Sequence, residues 1–179
     1  LEPDIVTIGK ALGNGHPITA ILGKRNVMEA AQNSFISSTY WTERVGFAAA
    51  LETINQSEKH NVVEYLNTLG KHFNQNFTQI CLDVDISIQN IGMSPVPILA
   101  IEEKNPLIVK TVFTQEMLKK GFLASNVIYF SYAHTKEVID SYLLEAKKVF
   151  SKIKLAQNKG NLNNLLDGPI CHSGFNRLT

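Results

Sequence analysis

Cysteine is scarce in this chain of 179 residues: Cys81 and Cys171 are the only two, far apart in sequence. Two isolated cysteines build no disulfide framework. Reduced, packed thiols in a cytoplasmic protein are the expectation. Charge is also sparse. Charged residues make up 18% of the chain and the formal net charge is +1. The basic stripe that nucleic-acid binding needs is missing. No apolar run is long enough to span a bilayer, and the opening "LEPDIVTIGK" has neither the basic nor the apolar region of a signal peptide. Neither nucleic acid nor membrane is expected as a partner.

Several motifs are absent too. His16, His60, His72, His134 and His172 are scattered, and none pairs with another histidine or a cysteine at metal-ligand spacing. Cys171-His172 alone is no site, so no metal is expected. "GKALGNG" begins with the Gly-Lys pair that a phosphate-binding P-loop places at its end. No G-x-S-x-G elbow exists, which leaves a hydrolase without support.

What remains is a well-patterned α/β sequence. Ile5, Val6 and Ile8 make a β-rich run that ends at Gly9-Lys10, and Gly13, Asn14, Gly15 and Pro17 then break regular structure. Residues 18–22 read as a second strand and 24–33 as a short helix. Thr42 is the expected N-cap of an alanine-rich helix, with Glu43 in its first turn. Val62, Leu66, Leu69, Phe73 and Phe77 share one helical face. Val84, Ile86 and Ile88 alternate with polar residues as in a half-buried strand, and "PVPILAIE" and "VIYFSY" read as two more. Pro106 starts a helix that Gly121 stops. Thr135 caps a last helix with Ile139, Leu143, Ala146, Phe150 and Ile153 inward.

These patterns divide the chain into 1–55, the end of a larger α/β unit; 56–79, a connecting helix; 80–154, a small α+β domain; and 155–179, a loosely held tail in which Phe175 and Leu178 could dock on a neighbour. The start at Leu1, just ahead of a strand, suggests part of a longer polypeptide.

Lys10 is the residue with chemical promise. A lysine at a strand end is commonly just exposed. Here, however, glycines follow at once and allow close approach of a bound group. A lysine in a partly buried cleft loses its proton more readily, and the free amine attacks aldehydes.

"PDIVTIGKALGNGHPITAILG" resembles the cofactor-lysine segment of the class III aminotransferases, the fold-type I pyridoxal-phosphate enzymes: Asp4, a hydrophobic strand, Gly9-Lys10, then Gly13, Gly15 and Pro17. "SSTYWTERVGFAAALETI" is similar to the family's segment of a threonine, a turn and an alanine-rich helix. "YFSYAHTKEVID" resembles the C-terminal strand-to-helix junction of the glutamate-1-semialdehyde aminomutase branch, where His134-Thr135 is a helix start and carries no catalytic role. The resemblance spans residues 2–154. It implies the C-terminal part of a fold-type I transferase: the end of the large α/β domain plus a small α+β domain. It further implies pyridoxal 5'-phosphate as cofactor, held by Lys10 as a Schiff base and by Thr39 through the phosphate of a neighbouring subunit in a homodimer. The substrates would be a small amino donor and a carbonyl acceptor.

The sequence also departs from the family. Glu43 and Arg44 stand where the family usually has Asn-Pro. Arg44 faces substrate or cofactor, or makes a surface or interface ion pair. No arginine for a substrate carboxylate is found, and "LASNVIYFSY" is uncharged. The family's phosphate loop and ring-pairing aspartate lie upstream of its lysine. This chain alone is therefore expected to be inactive, and a non-catalytic fragment or pseudoenzyme module is the alternative.

Overall fold

A computed structural model describes residues 2–174. The calls on Phe175 and Leu178 lie outside the described residues. The chain forms two compact units, residues 1–62 and 63–179.

The first unit opens with β1 (Ile5–Ile8) and β2 (Ala20–Gly23), an antiparallel pair in register Ile5↔Gly23 to Ile8↔Ala20. Short helix α1 (Arg25–Met28) runs into a 3-10 turn over Glu29–Asn33, and α2 covers Val45–Lys59. Little of this unit is buried: among its described residues only Gly13, Gly46 and Ala50. Gly46 is explained by packing. A Cβ there would lie 3.2 Å from both Ile18 Cβ and Pro17 O, so the missing side chain lets α2 close on the loop after Lys10.

The second unit holds the core. Helices α3 (Val62–Val84), α4 (Pro106–Lys119) and α5 (Lys136–Asn158) pack with a small antiparallel pair, β3 (Ile88–Asn90) and β4 (Leu99–Ile101). Phe73, Phe77, Val109, Met117, Phe150 and Ile153 are fully buried. Phe113 stacks on Phe150 at 4.8 Å, and Phe77 meets Phe150 edge-on at 5.9 Å. Thr135 caps α5 by accepting from Val138 N, and Pro106 opens α4.

Four expectations need correction. Residues 56–79 are not one connector: α2 ends at Lys59, the chain turns through Asn61 at φ 46°, and α3 begins at Val62. Val84 ends a helix rather than starting a strand. Ile80, Cys81 and Val84 continue the three-and-four spacing of Phe73 and Phe77. The helix stops at Asp85, at φ 58°, where Ile86 N donates to Cys81 O and Asp85 N to Leu82 O, the Schellman arrangement. "VIYFSY" is no strand beyond a single bridge between Val127 and Ile98. Ile128 N donates to Pro97 O and Phe130 N to Pro95 O, but neither proline has an N–H to return the bond. Finally, the tail is held as far as Cys171. Leu162 is buried, Gln115 Oε1 accepts from Asp167 N at 2.7 Å, and Thr111 Oγ1 accepts from Cys171 N at 3.0 Å.

Candidate active site

β-branched residues hold β1 extended up to Ile8, and Lys10 then takes φ 52°, the left-handed region that non-glycine residues seldom enter. Three backbone bonds close the turn that follows: Leu12 N to Gly9 O, Gly13 N to Lys10 O and Asn14 N to Ala11 O, each 3.2 Å. His16 N then donates to Gly13 O at 3.0 Å. Gly13 is obligatory here, because a Cβ would stand 2.1 Å from His16 O. The sequence thus folds back on itself immediately after the lysine.

This fold-back lines a cleft of about 1370 Å³ within the first unit. Lys10 is its only lysine. His16, Thr19, Ser37, Ser38, Tyr40 and Trp41 join it on the walls. Lys10 is exposed, and its amine makes no hydrogen bond or ion pair among the described residues. The nearby Lys24, by contrast, is paired with Asp4 at 2.9 Å.

Thr39 sits in the turn before α2, exposed, and its hydroxyl has no partner among the described residues. Its neighbours Ser38 and Tyr40 line the cleft; Thr39 does not. The two site residues expected from sequence are therefore not brought onto the same wall.

The cap of α2 differs from expectation. Thr42 makes no capping bond. Glu43 reaches forward instead, accepting from Val45 N at 2.6 Å and Gly46 N at 2.9 Å. The amides of Gly46 and Val45 hold this carboxyl below its usual pKa, assisted by the charge of His16. The positive end of the helix is thus already occupied by an anion of the chain itself. Arg44, half of the same departure from the family pattern, forms no ion pair among the described residues.

Sequence reading did not single out His16, Ser37, Ser38, Tyr40 or Trp41. The signal was present in the polar stretch "NSFISSTYWTER", but a loop without periodicity does not tell which of its side chains turn inward. Elsewhere, His134 Nδ1 accepts from Ser131 N at 2.9 Å beside the Thr135 cap, a structural role. Cys81 and Cys171 are free thiols. No cluster of three metal-ligating side chains exists among the described residues. No described helix is long and apolar enough to cross a membrane.

Comparison with known proteins bears on this arrangement. The family described as Aminotransferase class-III matches residues 1–150. Curated relatives include 2'-deamino-2'-hydroxyneamine transaminase of Streptomyces kanamyceticus, 26% identical over 79% of this chain and 37% of the relative. Another is glutamate-1-semialdehyde 2,1-aminomutase of Methanothrix thermoacetophila, 30% identical over 85% of this chain and 39% of the relative. Among solved structures, the PLP internal aldimine form of the FumI protein of Sphingopyxis sp. MTA144 superposes with a TM-score of 0.81 at 23% identity, covering 93% of this chain and 41% of that one. An omega-transaminase from Sphaerobacter thermophilus gives 0.74 at 14% identity, covering 83% and 38%. At such identities these two establish the fold alone, part of the α/β transferase fold. The chain spans about two fifths of the length of the relatives it matches. A left-handed lysine at a strand end, glycines forced by close contact and a family match over most of the sequence agree: this chain belongs to the class III aminotransferase family.

Proposed function

We propose that this chain carries the cofactor-lysine portion of a pyridoxal-phosphate-dependent aminotransferase or aminomutase. It would work as a cytoplasmic homodimer on a small amino donor and a carbonyl acceptor. The observation that carries the reading is Lys10, the single lysine of the cleft, without a partner and fixed at the end of β1.

The cleft's donor set fits the cofactor's aldehyde and phosphate ends. Lys10 offers the amine, Ser37, Ser38 and Thr19 offer hydroxyls, and Tyr40 and Trp41 offer flat apolar walls. The cofactor's ring nitrogen finds no free carboxylate on these walls, because Glu43 is committed to α2. When bound, pyridoxal phosphate supplies an electrophilic carbon and a ring that stabilises negative charge on the carbon bearing the amino group. Lys10 Nζ supplies the nucleophile, then takes a proton from that carbon and returns it. Thr39, exposed and not among the residues that line this cleft, would donate its hydroxyl to a phosphate held by a second copy. Its contribution is one hydrogen bond and no helix field, since Glu43 already neutralises the start of α2.

Trp41 is the chain's one tryptophan and lines the same cleft, so its fluorescence reports occupancy. The chain is incubated with pyridoxal phosphate, reduced with borohydride and mapped by peptide mass. We expect the label on Lys10 together with quenching of Trp41, and both lost in Lys10→Ala. Label spread evenly over exposed lysines such as Lys59 and Lys71, unchanged in Lys10→Ala, overturns the assignment.

A further inference from the structure

Asn14-Gly15 is the one Asn-Gly pair of the chain. It forms the middle of the turn from Gly13 to His16, which His16 N closes by donating to Gly13 O at 3.0 Å. Both central residues have positive φ, 45° at Asn14 and 103° at Gly15, the mirror-image turn that asparagine and glycine favour. Such a turn joins its first carbonyl to its fourth amide and leaves the third amide, here that of Gly15, without an internal acceptor.

Gly15 N donates no hydrogen bond among the described residues. The side-chain amide of Asn14 is likewise unbonded among them, and both residues are exposed. A Cβ at Gly15 would meet nothing within 4 Å, so the space beside its nitrogen is open. A free backbone nitrogen and the electrophilic Cγ of Asn14 thus need only one new bond to close a five-membered ring. Elsewhere the same attack is hindered. Asn33 precedes Ser34, whose amide is tied to Ala31 O at 3.1 Å, and every other asparagine precedes a bulkier residue than glycine.

We propose that Asn14 is a site of spontaneous covalent modification, converted through a cyclic imide to aspartate and isoaspartate, and that the conversion loosens the loop behind Lys10. Gly15 N attacks Asn14 Cγ, the bond from Cγ to the side-chain nitrogen breaks, and ammonia leaves with the proton that Gly15 N gave up. Water then opens the imide. Opening at Cγ leaves an ordinary aspartate. Opening at the main-chain carbonyl leaves the chain running through Cγ, with one more methylene in the backbone and a free α-carboxylate. Nothing is oxidised or reduced. Gly13 belongs to two turns: its N–H donates to Lys10 O at 3.2 Å and its carbonyl accepts from His16 N. An added methylene at position 14 draws His16 N away from that carbonyl, in the peptide next to the one that holds Lys10.

The test ages the full 179-residue chain in mildly alkaline buffer below its melting temperature and maps it by peptide mass. Isoaspartate is counted by enzymatic methylation of its free α-carboxylate. Asn14→Gly removes Cγ and suits the left-handed backbone; circular dichroism checks that it folds. We expect the peptide carrying Asn14 to gain the mass of amide turned to acid, to accept methyl groups, and to convert faster as hydroxide rises. Asn33 should convert at least about fivefold more slowly, the factor for one retained hydrogen bond. The His16 amide exchanges its hydrogen faster in the aged chain than in the fresh one, and ageing leaves it unchanged in Asn14→Gly. Three results overturn the proposal: no conversion at Asn14, conversion at Asn33 as fast as at Asn14, or an aged, converted chain whose His16 amide exchanges no faster. None of these readouts uses a cofactor, so failure of the proposed function is distinguishable from failure here.

Discussion

Glu116 is the one buried charged residue among the described residues, 9% exposed on α4 among Val112, Phe113 and Met117. Its replacement by glutamine allows the electrostatics of this fold to be tested without touching the site. One carboxylate oxygen accepts from Lys119 at 2.8 Å and Gln115 at 3.0 Å, and the other from Lys152 of α5 at 2.6 Å. Burial alone would raise the pKa. The bonds from Lys119, Lys152 and Gln115 outweigh it and bring the carboxyl from 4.5 down to about 2. At about 1.4 kcal/mol for each pH unit of displacement, that difference is worth about 3 kcal/mol. The lysine ends are close to half exposed, 49% and 47%. Solvent screening therefore reduces the figure to about 2 kcal/mol.

The sign follows from linkage. Folding lowers the pKa of Glu116, so its stabilisation is complete above the unfolded value near 4.5 and is lost as the pH falls towards 2. Glu116→Gln keeps the shape but offers one acceptor and turns an N–H₂ towards donors. Urea unfolding of both proteins at pH 7, 5, 4 and 3 gives the comparison. At pH 7 the variant is less stable by about 2 kcal/mol, and the gap closes progressively below pH 4.5. The other lowered carboxyls, such as Asp83 and Asp140, are present in both proteins and cancel. A gap that stays constant down to pH 3 would refute the argument, because it would mean that the carboxylate's charge contributes nothing.

Two further outcomes test the packing and the backbone. Phe150→Ala removes a ring that is 1% exposed and touches both Phe113 and Phe77; the loss is about 4 kcal/mol in a urea titration. Lys10→Gly and Lys10→Ala both delete the amine, but only glycine is at ease at φ 52°. Glycine at this position should therefore leave the protein about 1 kcal/mol more stable than alanine, read as a difference in urea midpoint.

What the sequence made legible followed periodicity and local chemistry. The inward stripe of α5, the Pro106 start, the Thr135 cap and the Gly121 stop all lie where pattern and capping rules put them. The lysine segment was legible because its glycines and strand are contiguous. What escaped depends on residues acting out of type or at a distance. Asp85 ends α3 in a conformation usually left to glycine, so the stop carried no mark, and the alternation after it imitated a strand. Pro95 and Pro97 lie some thirty residues before the segment whose pairing they curtail. Glu43 replaces the expected Thr42 as cap by reaching forward to Gly46, a geometry that depends on the preceding turn, where Glu43 N donates to Tyr40 O.

The two units also differ in what holds them, and the difference bears on the chemistry. The second unit buries a contiguous set of aliphatic and aromatic side chains from Leu69 to Leu162. The first exposes Ile5, Val6, Ile8, Ile21 and Leu22 on a two-stranded sheet, and Phe47, Leu51 and Ile54 along α2. A hairpin with so little burial is weakly stable by itself. Its order rests on local devices: the Lys24–Asp4 pair, the Glu43 cap, and Gly13 and Gly46 at close contacts. Lys10 stands on this weaker unit in a conformation that costs energy. A cofactor condensed with its amine and packed against Tyr40 and Trp41 would add apolar burial where the chain has least. In the proposed function, then, ligand binding would add stability to a lysine loop whose left-handed turn is already closed by its own backbone bonds, and the gain would fall on the unit that has the smaller core.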